Sequence, residues 1–109
     1  GNISFEQCIT EMAQANYSGC EVGHKFPRDI ATLTAALKPL NLRVASAWYS
    51  TYFTVPSRVE KTIEGFKRHM QFLKAMQAKV IVVCECGHSI QGQALPILEN
   101  KQVFDKAEW

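Results

Sequence analysis

The chain has 109 residues, 47% of them hydrophobic, with 12 Lys and Arg against 10 Asp and Glu. That length holds one small domain and not two, and a formal charge of +2 with scattered basic residues leaves no cationic stripe to pair with nucleic acid. The longest apolar runs, such as residues 80–84, are strand-length and far below the roughly 20 residues of a membrane-spanning helix.

Nothing after Gly1 has the charged and apolar regions of a secretory signal, and a near-average apolar content in periodic arrangement argues against disorder. The four cysteines Cys8, Cys20, Cys84 and Cys86 sit in apolar segments rather than in loops. Reduced thiols in a cytoplasmic protein are therefore expected, not a disulfide framework.

In chain order, Ser4 and Gln7 form a capping-box pattern, and Phe5, Cys8, Ile9, Met12 and Ala13 then share one helical face that Asn16 and Gly19 end. Residues 20–23 read as a short buried strand with Glu21 inside it, followed by a loop at 24–28. Asp29 caps a helix over 30–37 with Ile30, Leu33 and Leu37 as its inner stripe. Pro39 and Asn41 stop that helix, and Asn41 tolerates the left-handed conformation such an end needs. Residues 42–48 are the second strand and 49–56 an aromatic loop. Ser57 and Glu60 suggest a cap for a long helix running to Gln77, with Val59, Ile63, Phe66, Met70, Leu73 and Met76 inward. Residues 80–83 form a continuous apolar strand, as in a parallel sheet covered on both faces.

Helix and strand alternate three times, the signature of consecutive βα units. The tail ends on another capping pattern, Asp105 to Glu108, with Trp109 after it, and the front begins at a helix cap. The expectation is one cut piece of a longer α/β domain, residues 1–109 forming about three βα units with a parallel sheet. Two open strand edges make self-association of the isolated piece an expected property.

Motifs along the whole chain resemble the myo-inosose-2 dehydratase family. They include Phe5-Glu-Gln-Cys8, Gly19-Cys-Glu21-Val-Gly23 with Lys25-Phe26-Pro27, Ala47-Trp48-Tyr49-Ser50-Thr51-Tyr52-Phe53, His69-Met70, Ala78-Lys79-Val80-Ile81 and Ser89-Ile90-Gln91-Gly92. Ser46 stands where an Asn commonly precedes Ala-Trp, Gln77 replaces a helix-ending Gly, and residues 86–88 also depart from the family pattern. The resemblance implies a partial (β/α)8 TIM barrel of the xylose-isomerase-like kind. It further implies a divalent metal (Mn or Co) and dehydration of 2-keto-myo-inositol to a cyclic dione in inositol catabolism. The family's metal ligands lie on later strands, so no metal ligand is carried onto this sequence and the short chain alone is expected to be inactive.

In such a barrel, chemistry collects at the C-terminal ends of the strands. Three segments reach that face: Glu21 to Lys25, Trp48 to Phe53 and Glu85 to Gln91. A polyol or ketose substrate needs several polar side chains and an aromatic wall. The candidate substrate-binding residues are accordingly Glu21, Lys25, Trp48, Glu85 and Gln91. Each has a structural alternative: an ion pair of Glu21 with Lys25 or Arg28, a similar pairing for Glu85, rim packing for Trp48, snorkelling for Lys25 and a loop contact for Gln91. His24 lies in the first mouth loop with no assigned role, and His69 reads as a packing or surface histidine. Cys84, Cys86 and His88 alternate along a strand and invite a zinc reading, which the one-residue spacer between the cysteines disfavours. No nucleophile–base pair or phosphate loop is present. The rival functions are a sugar isomerase or epimerase on the same barrel and a non-catalytic remnant or assembly module.

Overall fold

A computed structural model describes residues 2–101 and 103–107. In chain order it holds α1 (Phe5–Gln14), β1 (Gly19–Val22), α2 (Ile30–Leu37), β2 (Arg43–Thr51), α3 (Val59–Ala75), β3 (Val82–Glu85) and a one-turn α4 (Ile97–Asn100). The strands lie in the order β1-β2-β3, and both pairings are parallel. Parallel neighbours need a crossover connection, which α2 and α3 supply. The expected fold class is therefore the one found: an α/β unit with a parallel sheet, its strand order that of consecutive units of a (β/α)8 barrel.

Local chemistry starts two of the helices as read. Ser4 Oγ accepts the Gln7 N–H at 3.1 Å, although the Gln7 amide turns to Glu11 at 2.8 Å instead of reaching back to close the box. Asp29 accepts both the Thr32 N–H (2.8 Å) and the Thr32 hydroxyl (2.7 Å). The third start differs. Pro56–Arg58 wind into a 3₁₀ turn and Arg58, with no side-chain cap, leads into α3. Proline's fixed φ pre-sets helical geometry at that point, so Ser57 is already inside a turn and does not cap.

Leu33, Leu37 and Leu73 are the largest fully buried side chains among the described residues. With Ile9 of α1, Cys20 and Val22 of β1, and Val44 and Ala47 of β2 they form a single cluster, so the helices pack on one face of the sheet. Cys20 and Val22 take that face, and alternation turns Glu21 to the opposite, open one; Glu21 is thus exposed rather than enclosed. On α2, Ile30 is likewise exposed.

Strand β2 runs three residues beyond the expected Trp48, because Trp48, Tyr49, Ser50 and Thr51 pair with Val82, Val83, Cys84 and Glu85. That pairing also moves β3 two residues downstream, to Val82–Glu85. Val80 and Val83 are 54% and 53% exposed, so the cover on both faces anticipated for this run is missing among the described residues. Since α3 turns Thr62 and Leu73 inward, Ile63 and Met70 of the expected stripe are exposed as well. No helix among the described residues is long and apolar enough to cross a membrane. In the tail, Asp105 Oδ1 accepts the Ala107 N–H at 2.8 Å, while Glu108 of the expected cap lies outside the described residues.

Asn16, Asn41 and Gln77 follow the helix ends with φ of 61°, 54° and 61°. Asparagine tolerates this region, but a longer side chain is strained there. At Gln77 the turn is fixed by N–H bonds from Gln77 to the Lys74 carbonyl (3.0 Å) and from Ala78 to the Leu73 carbonyl (2.9 Å). Replacing Gln77 by Gly is expected to raise the unfolding free energy by about 1 kcal/mol. A urea titration of the two proteins side by side measures it, and an unchanged or lowered midpoint counts against the strain.

Candidate functional site

The open face of the sheet is set by a bulge. Cys20 pairs with Val44 but Glu21 with Ser46, so Ala45 is an extra residue in β2 and the alternation resets behind it. Val44, Ala47, Tyr49 and Thr51 then point to the helices, and Ser46, Trp48 and Ser50 to the open face beside Glu21. Ser46 Oγ donates to Glu21 Oε2 at 3.2 Å. Two and four residues along, Trp48 Nε1 donates to Ser50 Oγ (2.9 Å), which donates in turn to Gln91 Oε1 (3.3 Å). The buried Cys86 thiol donates to the same amide oxygen. A carboxylate, an indole, two hydroxyls and an amide thus share one exposed face, with Trp48 40% exposed.

Beyond Gln91 a cavity of about 570 Å³ opens, lined also by Ser89, Asn100, Lys101 and Phe104. A second cavity of similar size, about 580 Å³, lies at the start of β2 between Leu37, Asn41 and Gln77. That is the N-terminal end of the strands, where barrel proteins build stability rather than chemistry. The first cavity adjoins the C-terminal ends and is the one relevant to a ligand.

Glu85 does something different from its neighbours on that rim. One of its oxygens accepts the Phe53 N–H (2.9 Å) and the Thr51 hydroxyl (3.0 Å), the other the Gly87 N–H (2.8 Å) and the Thr54 hydroxyl (2.9 Å). Partial desolvation pushes its carboxyl upward, but the amides of Phe53 and Gly87 and the hydroxyls of Thr54 and Thr51 outweigh it and hold the group at about 2. It is ionised throughout the neutral range, unsuited to trading protons there, and ties the segment after β2 to the end of β3. Gly87 is required beside it, because a Cβ there would strike the Thr54 hydroxyl and the Glu85 carboxylate.

Of the five residues singled out in the sequence, the structure links Trp48 and Gln91 through Ser50 and sets Glu21 on the same face. Glu85 stands at the end of β3 with its partners all within the chain. Lys25 directs its ammonium to the Ile3 carbonyl ahead of α1, and no ion pair joins it to Glu21. The sequence reading did not single out Ser50, nor did it make Ser46 a site residue. Their signal is period-two spacing with Trp48, which for Ser50 is hidden once the strand is ended at residue 48. The zinc set does not assemble: His88 Nε2 lies 3.3 Å from the Thr54 carbonyl, Cys84 is exposed and Cys86 is buried against Gln91. Among the described residues no three His, Cys, Asp or Glu side chains group so as to hold a metal ion. Burial raises the Cys20 thiol; for Cys84, desolvation and the neighbouring Cys86 act in the same direction. Neither is an activated thiolate.

Because the folded Glu85 carboxyl titrates below an unfolded one, its stabilisation is complete above about pH 5 and drains away as the pH falls toward 2. The Glu85→Gln variant is expected to lose that part of the acid slope. Urea midpoints measured from pH 7 down to pH 3 test this, and parallel acid limbs for the two proteins would reject it.

No known protein-family profile matches the chain. Named relatives do match. The chain is 51% identical over 107 residues to the inosose dehydratase of Bacillus anthracis, covering 97% of this chain and 36% of that protein. Against the inosose dehydratase of Geobacillus thermodenitrificans it is 53% identical over 110 residues, covering 100% and 37%. Against inosose dehydratase 1 of Bacillus cereus it is 51% identical, covering 97% and 36%. The chain thus spans little more than a third of the length of the curated relatives it matches.

Proposed function

As a homologue, along nearly its whole length, of a segment of the inosose dehydratases, the chain is, we propose, the substrate-holding part of a carbon–oxygen lyase. The reaction is loss of water from 2-keto-myo-inositol to give a cyclic dione, within inositol catabolism in the cytoplasm. The observation that carries this reading is the match at 51–53% identity over 97–100% of the chain. The open face supplies chemistry that suits it.

A cyclic polyol presents hydroxyls around its rim and C–H groups on its faces. Trp48 offers an apolar plane for the C–H face, and Glu21, Ser46, Ser50 and Gln91 offer acceptors and donors to the hydroxyls. Ser46 occupies only one Glu21 oxygen, and the other is placed to accept from a substrate hydroxyl. Glu85 and Lys25 act at the rim: Glu85 holds the segment after β2 in place, and Lys25 is a donor on the first mouth loop.

Dehydration beside a ketone begins with removal of the α-proton; the developing enolate must be stabilised and the departing hydroxyl protonated. These residues bind and orient, and no proton transfer is assigned to them. The divalent ion, manganese or cobalt, would polarise the ketone oxygen when bound. Among the described residues no three His, Cys, Asp or Glu side chains group to hold it, and we assign its ligands to other strands of such a barrel. The free edges of β1 and β3 are the natural contacts for further barrel strands or a second copy.

A full-length protein carrying this sequence should form the dione from 2-keto-myo-inositol with manganese or cobalt present, followed by its ultraviolet absorbance. Trp48→Ala should raise KM roughly tenfold while leaving the far-ultraviolet circular dichroism unchanged. An epimerised product without any dione would reject the lyase reading in favour of the isomerase one.

A further inference from the structure

A second site lies on the helix side of the sheet, away from the face that carries Glu21 and Trp48. Its origin is Gly65. Tyr49, at the end of β2, donates its hydroxyl to the Thr62 carbonyl of α3 at 2.7 Å, and it passes where a Cβ at residue 65 would stand. Lys61 is one turn before Gly65 and Arg68 one turn after, on the same line of the helix. The missing side chain admits the tyrosine hydroxyl, and beside it lies a cavity of about 170 Å³ lined by Tyr49 and Gly65 with Arg58, Lys61 and Arg68 around it.

Three cations therefore converge on one small space, and no carboxylate lines it. Arg58 is held over the Tyr52 ring at 3.5 Å, which fixes its guanidinium without neutralising it. Among the described residues the Lys61 and Arg68 side chains have neither a hydrogen bond nor an ion pair; even Glu64, one helical turn before Arg68, does not pair with it. The first turn of α3 has no side-chain cap, and its acidic residue Glu60 does not line the cavity. Cations this close repel one another, and an anion in the space they surround relieves that repulsion.

We propose that this cavity binds a phosphate group. Its volume is too small for a drug-sized ligand, which leaves inorganic phosphate or the phosphate end of a small phosphomonoester. Arg58 and Arg68 would each donate through a guanidinium fork and Lys61 as a point charge. The site is independent of the lyase reading, since none of its residues lies on the open face.

Equilibrium dialysis of labelled inorganic phosphate, at constant ionic strength with chloride as the balancing anion, tests the proposal directly. The expected result is saturable uptake of one phosphate per chain. The pair Lys61→Gln and Arg68→Gln should weaken it at least about tenfold, whereas Lys74→Gln, an exposed cation farther along α3, should leave it unchanged. Unlabelled glycerol phosphate as competitor separates the two sources: equal potency assigns the site to free phosphate, and greater potency to a phosphomonoester. Uptake that never saturates, or that persists in the double variant with an intact circular dichroism spectrum, overturns the proposal.

Discussion

The position of β2 between two parallel neighbours, with one extra residue near its start, governs the rest of the molecule. Among the described strands only β2 is bonded on both sides, and its bulge at Ala45 decides which side chains face the helices. Without the extra residue, Ala47, which packs in the core, would exchange faces with Trp48. The bulge depends on close approach from β1. A Cβ on Gly19 would sit 3.1 Å from the Arg43 carbonyl and 3.5 Å from the Ala45 side chain, so the glycine makes room for the irregularity that aims the candidate site.

Two kinds of polar group occupy the C-terminal ends of these strands, and they differ in what their hydrogen bonds leave over. Glu85 has both oxygens engaged by amides and hydroxyls of its own chain, which lowers its pKa, keeps it ionised and makes it a brace between the β2 and β3 ends. Glu21 keeps one oxygen without a partner among the described residues, and Trp48, Ser50 and Gln91 form a linked but exposed row. Two carboxylates in similar strand positions thus acquire different physical roles, one holding the segment that follows Trp48 and the other facing outward beside it.

Val80 and Val83 at the free edge, with Ile63 and Met70 on α3, are what a barrel would cover with its neighbouring units. The relatives are nearly three times as long as the stretch they share with this chain. The basic cavity beside Gly65 is of another kind: Tyr49, Thr62 and the three cations that build it all come from β2, α3 and the short segment joining them.

Much of the fold was legible in the sequence: the alternation of helices and strands, the Ser4 and Asp29 caps, the left-handed stop at Asn41, and the likeness to inosose dehydratases. These are local or cumulative signals, carried by residues within a few positions of each other or by many positions added together. The Ser57 cap was misread because proline had already started a turn. The ends of β2 and β3 were missed because aromatic residues serve equally well in a rim and in a strand. Trp48, Gln91 and Glu21 were singled out as residue types at strand mouths, while Ser50 meets Trp48 and Gln91 only through register. What tertiary structure alone decided is the facing of every group on β2, the engagement of Glu85 and the convergence of Arg58, Lys61 and Arg68. Each of these depends on where a neighbouring strand or helix lies, and a bulge or a missing Cβ shifts that by distances no periodicity in the chain records.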